Sequence, residues 1–460
     1  MSILTDYKWV GKYKPFAHQK DTSAFLATRA KAFCFNEQGT GKTASVIWTA
    51  DYLMKKGKVR RVLIICPLSI MKSAWQQDLF TVAMHRSCSI AYGSARKRAE
   101  IINAGAEFVI INYDGVAIVK DEIIKGGFDL VVVDEANAYK NTQTRRWKTL
   151  NSIMAHVKGL WMLTGTPAAQ SPLDAFGLAK LVNPKGTPAY VTQFKDSVMW
   201  QMTRFTWLPR PNAQETVHAV LQPAIRYEKR ECLDLPPVTY TTREVELTIQ
   251  QKKYYKLLWD EFTAEADGES ITAVNAAAKI TKLLQISGGA VYADAGDIIE
   301  FDASNRLQVV REAIAETSNK SLVFVPYTHT IDKIAEDLDK HKISNAILDG
   351  RASLNSRSEA VRNFQENDEP EVLIIQPQAA AHGLTLTAAD TIIWYAPVTS
   401  VEIYLQANAR IDRPGQFNPM TIIHVVGSPV ERRLYRMLNR KMANHKMVVD
   451  LYREALQTAP

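Results

Sequence analysis

Cysteine is scarce in this chain, and no stretch approaches the roughly 20 consecutive apolar residues of a membrane-spanning helix. The four cysteines, Cys34, Cys66, Cys88 and Cys232, stand apart without a C-x-x-C pair, which argues against both a zinc site and a disulfide framework. Near the N-terminus stand Asp6, Lys8, Lys12 and Lys14, where a secretory signal would need an apolar core. A reduced, cytoplasmic setting is expected. With 460 residues, 46% of them hydrophobic, the chain can bury a sizeable core spread over two or three domains. Its formal charge of +8 and pI near 9.1 suit a polyanionic partner, although such an excess also serves solubility alone.

What is present is organised around residues 36 to 43, Asn-Glu-Gln-Gly-Thr-Gly-Lys-Thr. The apolar run Ala32 to Phe35 precedes it as a buried strand, and Ala44, Val46, Ile47 and Ala50 follow at helical spacing. A Gly-rich loop between strand and helix lets backbone N–H groups of Gln38, Gly39, Thr40 and Gly41 approach a polyphosphate. Lys42 reaches the β/γ oxygens there, and the Thr43 hydroxyl can hold magnesium. The phosphate-loop pattern asks for glycine at position 36 and finds Asn36. Upstream, Gln19 carries an amide donor and acceptor suited to an adenine edge; a surface glutamine is the bland alternative.

Arg61 to Pro67, Glu107 to Asn112, Phe128 to Val133 and Gly159 to Leu163 read as further buried strands, with a helix over Ser69 to Phe80. Alternating strands and helices predict a doubly wound parallel sheet. Asp134 and Glu135 follow the valine run, at the carboxyl end of a strand, where ligands bind in open α/β sheets. Asp134 can share the magnesium of Thr43, and Glu135 can polarise an attacking water. The same acids could instead cap a helix.

These stretches resemble the Swi/Snf-type branch of superfamily two helicase-like ATPases. NEQGTGKT is similar to the family's D-E-M-G-L-G-K-T, DEANAYKN to D-E-A-H-R-I-K-N, and LTGTPAAQ, which includes Ala169 and Gln170, to L-T-G-T-P-I-Q-N. CPLSIMKSAW resembles the family's segment after the second strand. Asn137 stands where the family has a histidine. The resemblance implies ATP and magnesium as cofactors.

Prolines crowd residues 184 to 237, marking an insertion and linker. Within it Trp200, Arg204, Phe205, Trp207 and Arg210 interleave aromatic and basic side chains. They read better as a local apolar cluster than as a base-stacking element. Arg226 to Leu257 resembles the basic connector that leaves the family's first lobe, and the Ala-rich Asp260 to Leu284 reads as a helical extension. A second strand set, from Ser321 through Val426, forms another α/β sheet without its own phosphate loop. Arg410 and Arg413 are three residues apart, hence expected on one helix face, where guanidinium groups can meet charge developing on a transferring phosphoryl group. Residues 406 to 416 are similar to the family's Q-A-x-D-R-x-H-R-I-G-Q, and Gly383 to Asp390 to G-L-N-L-T-A-A-D; Ala380 and Ala381 replace a usual glycine pair. Residues 431 to 446, with Arg432, Arg433, Arg436, Arg440, Lys441 and Lys446 against Glu431, suggest a helix bracing the first lobe, with DNA contact second.

The expected architecture is α/β: two tandem RecA-like lobes, residues 1–183 and 301–460, with a helical insertion and linker at 184–300. The resemblance covers nearly the whole chain, leaving no room for chromatin-reading or nuclease modules; such a compact form suits a bacterial or viral source. The expected activity is ATP-driven translocation on double-stranded DNA by a monomer, displacing bound strands or proteins. A strand-separating helicase on DNA or RNA and an ATP-gated binding protein stay open as alternatives. A small-molecule kinase would leave the second lobe and its arginines unexplained.

Overall fold

The computed structural model describes residues 2–168, 171–202, 207–266, 273–292, 298–380 and 384–439. Ala169, Gln170, Arg204, Phe205, Ala381, Gly383, Arg440, Lys441 and Lys446, named above, lie outside the described residues. The chain divides into two compact units, with the boundary between Asp234 and Leu235.

In the first unit the strands are β1 (Lys31–Cys34), β2 (Val62–Cys66), β3 (Cys88–Ala91), β4 (Phe108–Asn112), β5 (Leu130–Val133), β6 (Gly159–Leu163), β7 (Met199–Gln201), β8 (Trp207–Pro209) and β9 (Ala224–Ile225). Seven of them form one parallel sheet in the order β3-β4-β2-β5-β6-β1-β9. Alternate side chains supply two cores, one on each face. Phe33, Leu63, Ile65, Val109, Val131 and Met162 pack on one side, and Cys34, Val62, Ile64, Ile110, Val132 and Leu163 on the other. Burial on both faces is why these strands read as continuous apolar runs.

The second unit contributes β10 (Val238–Glu244), β11 (Ala290–Tyr292), β12 (Ile298–Glu300), β13 (Lys320–Phe324), β14 (Asn345–Leu348), β15 (Val372–Ile375), β16 (Ala389–Trp394) and β17 (Met420–Val426). Its parallel sheet runs β10-β17-β16-β13-β15-β14. The fold is thus two tandem RecA-like α/β units. No helix among the described residues is long and apolar enough to cross a membrane.

The stretch 184–300 does not stand as a third body. Residues up to Asp234 belong with the first unit, because β9 extends its sheet beside β1, whereas β10 pairs along its length with β17 in the second. Proline-rich sequence hid both edge strands. The β7–β8 hairpin is antiparallel. Trp207 packs on the first unit's core and Lys195 Nζ lies 3.5 Å from its ring centre, while Trp200 is exposed. Arg210 Nε donates to the carbonyls of Asp196 and Met199 at 2.8 and 3.1 Å. The predicted C-terminal helix begins by 429 and, through 439, sets Leu434, Tyr435 and Leu438 inward, with Tyr435 and Leu438 in the second unit's own core. Its described turns therefore anchor on the second unit, since their apolar stripe is consumed there.

Candidate active site

Three neighbouring strands, β5, β6 and β1, end at the same edge of the first sheet. Each delivers one motif there. After β1 the phosphate loop needs two left-handed turns, at Gly39 (φ 83°) and Gly41 (φ 75°), a conformation that costs residues with a Cβ about 1–2 kcal/mol. Gly41 ends the loop as the residue before helix Lys42–Lys55, so free N–H groups at that helix start face an incoming anion. Lys42 Nζ donates to the carbonyls of Asn36 and Glu37 at 2.8 and 3.1 Å. Both acceptors are neutral, and phosphate oxygens are stronger ones. Thr43 follows on the first turn. These features fit a nucleoside triphosphate.

Gln19, on helix Ala17–Ala27, closes onto the loop: Nε2 donates to the Thr40 carbonyl at 3.3 Å, and Oε1 accepts from Phe16 N at 2.9 Å. His18 Nε2 meets the same Thr40 carbonyl at 2.8 Å. A Cβ at residue 41 would fall 2.1 Å from Gln19 Nε2. The sequence cast Gln19 as a reader of adenine. Its amide is instead engaged with the chain on both sides, leaving one N–H for a base.

After β5 the Asp134 carboxylate accepts from Trp75 Nε1 and from the Glu135 amide, each at 2.9 Å. Burial raises its pKa, opposed by the nearby Lys42 charge and these hydrogen bonds. The Asp134 charge in turn adds to burial in pushing Asp78 up to about 6. A buried carboxylate held up in this way gains from a cation. Among the described residues no three His, Cys, Asp or Glu side chains cluster as a self-sufficient metal site. Two oxygen donors, Asp134 and Thr43, suit magnesium, which keeps waters and takes its remaining ligands from substrate phosphates.

Glu135 adopts φ 47°, ψ 58°, left-handed for a non-glycine residue, which stores about 1–3 kcal/mol of strain. Tyr113 Oη holds this turn by donating to the carbonyls of Asp134 (2.6 Å) and Glu135 (3.2 Å). Asn137 Nδ2 donates to Thr166 O and Oγ1, both at 3.1 Å. So the asparagine ties the acidic box to the segment after β6. There Thr164 Oγ1 accepts from Thr166 N at 3.2 Å, and a Cβ on Gly165 would meet Gln38 at 3.3 Å. Neither Trp75 nor Tyr113 is singled out by the sequence, because nothing local shows that the indole N–H or the phenol meets the acidic box.

In the second unit, Arg410 and Arg413 do not lie on a helix. Helix Val401–Asn408 ends before both, and Pro414 and Gly415 (φ 98°) keep the chain after them from resuming it. Arg410 is 1% exposed; Nε donates to Gln406 O at 2.6 Å and Nη1 to Leu384 O at 3.1 Å. Arg413 is half-buried, with Nε on Ala409 O (2.7 Å) and Nη1 on Thr385 Oγ1 (3.3 Å). Of the pair, Arg413 keeps surface for a ligand.

A family model described as the SNF2-related domain matches residues 18–290, more than half of the chain, and one described as the helicase conserved C-terminal domain matches 305–415. The chain belongs to the SNF2-related family. By that membership it carries the SNF2-related and helicase C-terminal domains of a helicase-class protein. The chain is 25% identical over 440 residues to the Chromodomain-helicase-DNA-binding protein 1-like of Mus musculus, covering 90% of this chain and 47% of that protein. An uncharacterized ATP-dependent helicase of Mycoplasma genitalium is 25% identical over 414 residues, covering 88% and 39%. The chain thus spans about half or less of these relatives. Among solved structures, the Sulfolobus solfataricus SWI2/SNF2 ATPase core in complex with dsDNA is 21% identical, covering 96% of this chain and 94% of that one, with a TM-score of 0.47. The first matched range contains Gln19, the phosphate loop and the acidic box, and the second contains Arg410 and Arg413.

Proposed function

We propose that this SNF2-related chain is an ATP-driven motor that tracks double-stranded DNA as a cytoplasmic monomer and displaces strands or proteins bound ahead of it. The observation that carries the reading is that β1 and β5, which flank β6 in one parallel sheet, bring Lys42 and Thr43 to the same sheet edge as Asp134 and Glu135.

In this reading Lys42 and the loop amides of Gln38 to Gly41 hold the triphosphate, and Gln19 abuts the base. Thr43 and Asp134 hold magnesium, which when bound neutralises charge on the β/γ oxygens. Glu135 orients a water and accepts its proton. In the second unit Arg413, beside the buried Arg410, is the cation with surface to offer a phosphoryl group. The net positive charge of the chain serves the duplex backbone, whose phosphates give affinity without sequence information.

ATP turnover measured with duplex DNA, single-stranded DNA and RNA tests the substrate class: duplex should stimulate most. Release of a third strand from a triplex should accompany hydrolysis, with weak unwinding of a plain fork. A second reading, strand separation, draws on the exposed Trp200 of the β7–β8 hairpin and on relatives named helicases. Each base-pair step opened costs about 1.4 kcal/mol of stacking, so an unwinder needs a wedge. Efficient opening of a long plain duplex that disappears in Trp200→Ala would favour that reading over the motor.

A further inference from the structure

The segment that leaves the first unit is fastened to the phosphate loop itself. Residues 223 to 229 run beside β1 and continue its ladder: Phe33 N donates to Pro223 O at 2.9 Å, Phe35 N to Ile225 O at 2.8 Å and Glu37 N to Tyr227 O at 3.0 Å. Side chains then cross in both directions. Arg226 Nη1 donates to Phe35 O at 2.8 Å and to Gly165 O at 3.2 Å, while Nη2 meets Glu37 Oε1 at 3.2 Å. The other Glu37 oxygen accepts from Lys229 N at 3.0 Å. Tyr227 Oη, further along, donates to Asp21 on the helix that carries Gln19, at 3.0 Å.

Glu37 is therefore shared between two tasks. Its carboxylate holds the exit segment, whereas its carbonyl accepts from Lys42 Nζ at 3.1 Å and from Thr40 Oγ1 at 2.8 Å. The Arg226 side chain is 2% exposed against 35% for Glu37. Burying a guanidinium costs several kcal/mol, and apolar packing of similar volume often serves stability as well. Its bonds reach the loop entrance and the Thr164-Gly165-Thr166 turn at once, an arrangement that packing alone does not require.

We propose that Arg226 is a positioning residue that couples the phosphate loop to the exit segment 226–234, so that nucleotide loading changes how that segment is held. Lys42, drawn onto phosphate oxygens, releases the carbonyls of Asn36 and Glu37. Glu37 then resettles, and the change passes through its carboxylate to Arg226 and Lys229 N. The chain enters the second unit a few residues later, at Leu235, so this segment is a covalent route between hydrolysis and motion. The inference deepens the motor reading and rests on it for its functional consequence only.

The test compares wild type with Arg226→Lys and Arg226→Ala. The lysine keeps the charge but cannot span both carbonyls and Glu37 together. Amide hydrogen exchange over residues 226–234, with and without a non-hydrolysable β,γ-imido ATP analogue plus magnesium, reads the coupling without any nucleic acid. Nucleotide should alter protection there in wild type and leave it unaltered in Arg226→Lys. In Arg226→Lys, third strands released per ATP should fall about tenfold, the scale of a 1–3 kcal/mol coupling, and by a larger factor than turnover without DNA. Unchanged exit-segment exchange in wild type, or wild-type coupling in Arg226→Lys, would overturn the inference even if duplex DNA stimulates turnover. A lower melting temperature with a proportionate fall in every activity in both variants would reduce Arg226 to a brace, and so overturn it too. Failure of duplex DNA to stimulate wild type, with exchange still nucleotide-dependent, would sink the motor reading and leave the coupling standing.

Discussion

Asp51→Asn should destabilise the first unit and flatten its response to acid. Asp51 lies on the helix that begins with Lys42 and Thr43, and its side chain is fully buried. It accepts from Tyr7 Oη at 2.6 Å, Arg86 Nε at 2.7 Å, Lys55 Nζ at 2.8 Å and His85 Nε2 at 2.8 Å. One carboxylate thus ties the far end of the nucleotide helix to the N-terminal segment and to the chain before β3. Burial alone would oppose ionisation, but the hydrogen bonds outweigh it and bring the pKa down from 3.8 to about 2. That difference corresponds to about 2.5 kcal/mol of stability. Because the folded value lies below the unfolded one, the contribution is complete at neutral pH. It fades as pH falls through 4 toward 2. Lys55 and His85 are about two-fifths exposed and can turn to water, so the substitution should not reach the 3–5 kcal/mol of a fully entombed partner. Thermal scans followed by tryptophan fluorescence should show the first transition lowered by roughly 5–10 °C at pH 7. The gap to wild type should shrink to about half near pH 3. Equal stability at pH 7, or a gap that does not depend on pH, would refute the assignment of Asp51 as the anchor.

Lys42→Ala and Glu135→Gln should each nearly abolish DNA-stimulated hydrolysis, and equilibrium binding should show that Glu135→Gln still takes up ATP; wild-type turnover in the latter would remove Glu135 from the chemistry. Arg413→Ala should cut turnover by about 10³-fold with little change in KM or melting temperature, as expected of a group acting on transition-state charge. Arg410→Ala should also lower the second unit's melting temperature, since its guanidinium is buried against backbone carbonyls; steady-state kinetics beside a thermal melt separates the two. Glu431→Ala, which strands the buried Arg306 that it meets at 2.7 Å, should cost about 3–5 kcal/mol by denaturation of the second unit. Stimulation by duplex DNA should fall steeply between about 50 and 200 mM salt if the grip is on phosphates, and a flat salt titration would contradict it.

Local sequence carried the strand–loop–helix of the phosphate site. Its chemistry is contiguous: the two glycines that need positive φ, the lysine and the threonine all lie within residues 39 to 43. The buried strands were legible for a related reason, since strands covered on both faces are apolar throughout. What the tertiary structure decided is what depends on partners far along the chain. The short β9 carries no strong strand signal, and the largely exposed β10, though rich in Thr and Tyr, shows no buried alternation; each pairs because β1 or β17 offers an open edge beside it. Their pairing set the boundary at Asp234 rather than around a separate insert. Arg410 and Arg413 had helical spacing, but helix Val401–Asn408 stops first and Arg410 is drawn inward by carbonyls of its own unit. The left-handed Glu135, the indole of Trp75 on Asp134 and the Arg226 clasp on Glu37 depend on residues up to 189 positions apart. Periodicity records which face of an element is buried; it holds no information about which distant polar atom lies opposite, and at this site those pairings position the groups proposed for the chemistry.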